Sequence, residues 1–265
     1  MIVVYNIITE DSMSTEEIIY RLFCSVDAEL LDVKKRSDAQ LYASEIVTIG
    51  LLFALKGGQY RPFYRWLAAN YHYLFPHLPE QSRMHRLLRD YSHYTVHFLK
   101  DPSTFTVVDT FGIELIHPRR EGRSPDQLGC KGVSNGRWIV GINLGWLINN
   151  RGEVVDWGWD TANVPDNAFR ELATQYDGET ITLSDLGFRK KDTPQKNFKY
   201  CEKGTWNERY LIESCFSVVT LVFDGKKLYH RDEHHLESRL GYMAALLNIL
   251  LIITGGVFSF TEFVI

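Results

Sequence analysis

The sequence predicts an α/β protein in which a small, basic all-α region over residues 1–100 precedes a mixed-sheet domain over residues 101–265. Three observations predict it. Apolar residues recur at helical spacing, with helix-stopping signals between the runs, as far as residue 100. After Asp101-Pro102 the texture turns extended, and the later β-rich runs are followed by segments of helical pattern. With 45% hydrophobic and 23% charged residues among 265, a disordered, collagen-like or coiled-coil chain is excluded.

Charge is unevenly placed. The net charge of −4 argues against a nucleic-acid partner only as a sum. Residues 1–33 hold one Arg against seven acids, whereas residues 34–100 hold ten Lys or Arg against four acids, along with five of the nine histidines. The acidic start suggests no role of its own. It also lacks the basic and apolar regions of a secretory signal. Cys24, Cys130, Cys201 and Cys215 show no CxxC spacing, so neither a disulfide framework nor a zinc knuckle is expected, and the chain reads as cytoplasmic.

In the first region, Ser37 with Gln40 reads as a capping box. Leu41, Ile46, Ile49, Leu52 and Phe53 follow at helical spacing until Lys56-Gly57-Gly58 ends the helix. A second helix is expected from Tyr60 or Pro62 to Tyr73, closed by Phe75-Pro76-His77-Leu78-Pro79, and a third from Ser82. Along the third, Arg83, Arg86 and Arg89 repeat every three residues, which suits phosphate contacts and a groove-reading helix. The alternative is a solvated charged face. The aromatics of the second helix, among them Phe63 and Trp66, are expected to close a core.

In the second region, 104–109 reads as a buried strand ending on Asp109. A basic loop with Arg119, Arg120 and Arg123 leads to Cys130-Lys131-Gly132. Two strands, 138–148 and 153–159, are joined by the turn sequence Asn149-Asn150-Arg151-Gly152. A helix over 166–176 and a strand over 179–185 ending on Asp185 come next. A helix over 207–223 then carries Glu213 among Ile212, Phe216 and Val219. The uncharged stretch from Leu240 to Thr261 raises the question of a membrane span, but Asn248, Thr254, Gly255, Gly256 and Ser259 interrupt it. Its strongest run, from Met243 to Ile253, has the length of a buried core helix.

A three-strand meander, a helix, a further strand and a helix carrying an acid form the layout of an RNase H-like fold. Acids at the ends of two neighbouring strands and on a facing helix can converge on a site for two divalent cations about 4 Å apart. Oxygen ligands suit Mg²⁺. Each acid also has a plainer reading: Asp109 as a turn cap, Asp185 as an Asx-turn residue before Gly187, and Glu213 as a surface acid paired with Arg209. Histidines at His93/His97 and at His230/His234/His235 form only weak zinc patterns, with no Cys near enough to complete a set.

Several segments together resemble the DDE-type transposases of bacterial insertion sequences. Val107-Val108-Asp109-Thr110 resembles the first catalytic strand, and Lys131-Gly132 with Gly141-Ile142-Asn143-Leu144 the family's Lys-Gly pair and second strand. Thr161-Ala162-Asn163-Val164-Pro165-Asp166 resembles its Thr-x-Asn-Val-x-Asp turn, and Leu183-Ser184-Asp185-Leu186-Gly187-Phe188 its second catalytic Asp. Arg209-Tyr210-Leu211-Ile212-Glu213 resembles the signature helix. Upstream, Leu78 to Leu88 is similar to the basic segment before the catalytic domain. Where branches of the family carry a Tyr before the signature Arg and a Lys after the Glu, this chain has Trp206 and Thr220; Lys226 and Lys227 are the next cations along. The 28-residue interval from Asp185 to Glu213 leaves no room for a large insertion domain.

The resemblance implies a magnesium- or manganese-dependent DNA transposase with two ions at Asp109, Asp185 and Glu213. It would cut and join phosphodiesters at the terminal inverted repeats of an insertion sequence, acting in the bacterial cytoplasm, associated with the nucleoid. Arg209 would hold a phosphate, Trp206 would stack on a base or sugar, and Lys131, Arg83, Arg86, Arg89, Arg119, Arg120 and Arg123 would contact double-stranded DNA. A homodimer is expected, because two element ends must be held together, and no membrane partner is. The rival expectations are a relative that binds the repeats without cutting them and a membrane-tethered or interaction protein.

Overall fold

The computed structural model describes residues 13–134, 136–189, 197–201, 208–257, 263 and 265. Helix α1 (Thr15–Glu29) starts at Ser14, whose hydroxyl accepts from the Glu17 N–H at 3.2 Å, and it buries Ile18, Ile19, Leu22 and Val26. Helix α2 (Ala43–Lys56) is buried along nearly its whole length. Its cap differs from the expected Ser37/Gln40 box. Tyr42 is the N-cap residue, and its backbone N–H donates to the Glu45 carboxylate at 2.7 Å. The helix ends at Gly57, whose φ of +72° favours glycine, as the sequence predicts. Helices α3 (Tyr60–Asn70) and α4 (Gln81–Asp90) follow, and a 3₁₀ segment, Ser92–Phe98, completes the amino-terminal layer.

The first part of the uncharged carboxy-terminal stretch, as far as Ile253, belongs to α7 (Glu233–Ile253), which returns to pack against α2 and the Ser92–Phe98 segment, while 258–261 lie outside the described residues. By length and composition it could cross a membrane, yet it lies buried inside the protein. Gly50 of α2 lets the two helices meet, since a Cβ there would overlap the Tyr242 ring. Asn248 explains one polar interruption. Its side-chain amide donates to the Phe98 and Val154 carbonyls, each at 2.8 Å, and accepts from the Val154 N–H at 2.7 Å. It thereby satisfies backbone groups where the helical layer meets the sheet.

The sheet is mixed. Strand β1 (Phe105–Ile116) lies antiparallel to β3 (Arg137–Asn149) and parallel to β5 (Ile181–Ser184), which in turn pairs in parallel with β6 (Phe198–Tyr200). The other edge of β3 is shared by β2 (Cys130–Ser134) and, through the expected hairpin, β4 (Val154–Thr161). Alternation along β1 sends Val107, Phe111, Ile113 and Leu115 to the large core shared with the helices. Val108 points the other way, into a smaller cluster with Leu147, Phe169, Ala173 and Phe188. The expected helix over 166–176 is a 3₁₀ turn, Asp166–Arg170, running into α5 (Glu171–Thr174) on that second face. On the first face lies α6 (Tyr210–Leu221), seated by Phe216 with ring centroids 5.1 Å from Phe111 and 5.5 Å from Trp146.

Candidate active site

The β1–β5 register pairs Thr106 with Thr182 and Val107 with Leu183. The pairing stops there; Asp109 follows two residues later on β1, and Asp185 comes directly after the end of β5 at Ser184. Beyond that point no described strand pairs with this edge of β1. The gap closes again at Glu114, whose N–H donates to the Lys226 carbonyl at 3.1 Å and whose carbonyl accepts from the Leu228 N–H at 2.9 Å. A cavity of about 700 Å³ opens along the uncovered edge, lined by Asp109 through Gly112 together with Asp166, Asp185, Arg209, Glu213 and Lys226.

Within it, Arg209 Nη2 lies 2.8 Å from Asp109 Oδ2. The pair is mostly shielded from solvent. Burial pushes the Asp109 carboxyl above the usual carboxylate range; the Arg209 charge and the Thr110 N–H oppose that, and the neighbouring Asp185 charge adds to it. Burial works against the Arg209 cation, but Asp109, then Asp185 and Glu213, carry its pKa upward overall. The guanidinium therefore feels all three acids at once. Asp185 also makes the Asx turn, accepting from the Gly187 N–H at 2.8 Å, so its local and cavity-lining roles coexist. Glu213 is not paired with Arg209 in the expected surface ion pair, because Arg209, the N-cap residue of α6, turns inward to Asp109.

The remaining site residues are dispersed. Lys131 lies outside the cavity, 3.9 Å from the Glu121 carboxylate with its ammonium over the Trp138 ring, although Val133 and Ser134 of the same strand line it. Of the α4 arginines, Arg83 lines a separate cleft with Arg36 and Asp38, Arg86 is exposed, and Arg89 pairs with Asp90 at 2.7 Å. Arg119 and Arg123 are exposed, and Arg120 faces another cavity. Trp206 lies outside the described residues. Thr220 lines the carboxylate cavity, and so does Lys226, its ammonium 4.5 Å from the Phe111 ring centroid. Lys227 instead pairs with Glu114 at 2.6 Å.

Two lining residues, Asp166 and Asn143, were not singled out by the sequence. Thr110 Oγ1 donates to Asp166 Oδ1 at 2.5 Å, and Asn143 Nδ2 donates to the Val164 carbonyl at 3.1 Å. Both fall within segments that carry the resemblance, which is the signal that could have marked them.

Among the described residues, no group of three or more His, Cys, Asp or Glu side chains is arranged to hold a metal ion. The donor chemistry nonetheless suits a hard cation, since Asp109, Asp185 and Glu213 supply carboxylate oxygens to one polar cavity. In the present arrangement the Arg209 guanidinium is the cation against Asp109. No protein-family model, curated protein or solved structure matches the chain.

Proposed function

We infer that this chain is a DDE-type DNA transposase, cutting and joining phosphodiesters at the ends of an insertion sequence. The observation that carries the reading is that Asp109, two residues past the last pair of β1 with β5, and Asp185, just past the end of β5, line one cavity with Arg209 and Glu213 from the start of α6. The strand order supports an RNase H-like fold: β3, β1, β5 and β6 lie in line, β2 and β4 share the outer edge of β3, β5 is parallel to β1, and β3 is antiparallel to both β1 and β4.

Asp109, Asp185 and Glu213 would hold Mg²⁺ or Mn²⁺, two ions in the full site, which when bound supplies Lewis acidity to a phosphate oxygen and acidifies a water or 3′-hydroxyl. Arg209 serves substrate by gripping two phosphate oxygens with its planar fork, exchanging Asp109 for the incoming anion. Lys226 brings a second cation to the cavity, in place of the Lys that Thr220 does not provide. Asp166, held by Thr110, adds a fourth carboxylate beside Asp185. Two protomers would act together, each holding one element end on its basic helical region.

The test is cleavage of a labelled duplex carrying the repeats that flank the gene, in Mg²⁺, Mn²⁺ or EDTA, with Asp185→Ala beside the native chain. Nicking that needs both metal and Asp185 is expected. The Arg209–Asp109 ion pair favours a second reading, a relative that binds repeats without cutting them. Specific binding without nicking in either metal would select that reading.

A further inference from the structure

An apolar groove of about 520 Å³ lies between α1, the start of α2 and the segment after α3, apart from the carboxylate site. Ile19 and Phe75, both buried, form its floor. Along α1 a single stripe lines it: Glu16, Tyr20, Phe23 and Asp27, at the spacing of one helix face. The stripe is apolar in the middle and acidic at both ends. At 1.5 Å per residue, Glu16 and Asp27 stand roughly 16 Å apart along the helix axis, about three turns. Tyr20, Tyr42 and Leu74 line the groove while being 68%, 54% and 38% exposed, a grouping of large apolar side chains of the kind that marks a protein–protein interaction site.

Charge decides the occupant. The lining holds three carboxylates, Glu16, Asp27 and Glu45, and no cation. Glu45 is used locally, accepting from the Tyr42 N–H at the start of α2. Glu16 and Asp27 make no ion pair or hydrogen bond among the described residues, whereas the neighbouring Glu17 is paired with Arg21. Such a lining repels a phosphate backbone or an anionic lipid surface. A second copy presenting the same face would set its acids against these. The basic helices α3 and α4 of a second copy do not fit either, since neither carries a large exposed apolar side chain to enter the groove. An extended peptide finds no strand edge here, because the walls are helices whose backbone groups pair internally. A helix needs no such edge.

We propose that this groove receives an amphipathic helix of another protein, whose central apolar side chains seat against Tyr20, Phe23 and Leu74 and whose flanking Lys or Arg side chains meet Glu16 and Asp27. The stripe on α1 sets the partner's pattern: two apolar anchors three residues apart, with a cation one turn outside each. The docking is independent of the transposase reading. Glu16 is exposed and Asp27 half-buried, and neither carboxylate is used within the protein, so replacing both leaves the fold intact. A cation in place of Asp27 also suits the carboxyl end of α1.

The experiment is fluorescence anisotropy with the full chain and a labelled, blocked, Ala-based helical peptide carrying Lys-Ala-Ala-Ala-Leu-Ala-Ala-Leu-Ala-Ala-Ala-Lys. One control peptide has the two leucines on opposite faces, and a second has Glu in place of Lys. The native protein is expected to bind the first peptide at least about tenfold more tightly than either control, less so as salt is raised. Glu16→Lys/Asp27→Lys, with its Tm checked, is expected to reverse the preference in favour of the Glu peptide. No binding of the Lys peptide, equal binding of its isomer, or an unchanged preference in the double variant would overturn the proposal. Self-association lost on Tyr20→Ser would give the groove to a second copy, and phosphatidylserine-vesicle binding lost on the same change would give it to lipid. Peptide binding that appears only in Val3→Ser/Val4→Ser would give it to the chain's own start. Each of these three results would also overturn the proposal. None of the readouts involves metal or DNA, so a protein that never nicks keeps the docking site if the preference reverses, and one that nicks loses it if the preference does not.

Discussion

Arg209, at the start of α6, reaches across to β1 and sets Nη2 2.8 Å from Oδ2 of Asp109, a residue one hundred positions earlier in the chain. This contact ties the signature helix to the first acidic strand and opposes the burial that pushes the Asp109 carboxyl upward. Removing the arginine leaves that carboxylate without its cation. Arg209→Ala is expected to abolish nicking and to lower stability by about 1–3 kcal/mol in urea unfolding. Arg209→Lys, which keeps the charge but loses the fork, should restore most of the stability and little of the activity. Equal activity in the lysine variant would show that the fork does not grip the phosphate.

The pairing should also be measurable as a coupling. In a double-mutant cycle of Asp109→Asn and Arg209→Gln, the stability losses should be non-additive by about 0.5–3 kcal/mol. Additive losses would mean that the ion pair contributes nothing in solution.

Asn248 joins the carboxy-terminal helix to the first residue of β4. Asn248→Leu keeps the helix apolar but strands the Val154 N–H and removes one partner of the Phe98 carbonyl. A loss of about 2–4 kcal/mol is expected from the chemical-denaturation midpoint. A neutral or stabilising result would show that the buried amide is not required where helix and sheet meet.

Close strand approach gives a further test. A Cβ on Gly141 would overlap the Ile113 carbonyl of the neighbouring strand, beside the register shift between Glu114 and Ile116. Gly141→Ala should destabilise the protein by about 1–3 kcal/mol, whereas Gly178→Ala, with open space around it but a φ of +87°, should suffer only the smaller backbone penalty. Thermal unfolding of the two variants side by side checks the order.

Acid should loosen the helical layer near α7. Burial holds His85 down to about 4, helped by the His235 and Arg89 charges and opposed by Asp232. Burial, then the Arg239, His85 and His235 charges, holds His230 down to about 3. Both are uncharged in the folded protein at neutral pH, whereas the unfolded chain takes up their protons below about 6.5. Their stabilising contribution is thus complete above that pH and is lost as pH falls from about 6.5 towards 4 and 3. Urea midpoints measured between pH 7.5 and 4.5 should fall across this window, and His85→Phe should flatten the fall. A native profile level to pH 4.5 would contradict the neutral, buried state.

Much of the sheet was legible because its signals are local. The Val107-Val108-Asp109 run, the Asn149-Asn150-Arg151-Gly152 turn and the acid after 181–184 each carry their own pattern, and their order supplied the meander. Strands β2 and β6 were not foreseen, since each is short and depends on a neighbour's edge more than on its own alternation. Helix α1 was missed within the acidic start because acids on its solvent side obscured the Ile18, Ile19, Leu22 and Val26 stripe. The cap of α2 was misplaced because Tyr42 uses its backbone N–H and Glu45, a pairing that the usual capping residues do not reveal. Glu213 with Arg209 illustrates the limit for the site: helical spacing predicted that the two share a face, but not that Arg209 would turn to Asp109. Asp166 enters through a tertiary bond from Thr110 that no sequence spacing encodes.

The most direct test of the central claim is single-turnover nicking of a labelled terminal-repeat duplex, with Mg²⁺ or Mn²⁺ against EDTA, for the native chain and Asp185→Ala. The account predicts a metal-dependent nick at the repeat end that the substitution abolishes while repeat binding persists. Nicking that survives in EDTA, or in the Asp185→Ala protein, would contradict it.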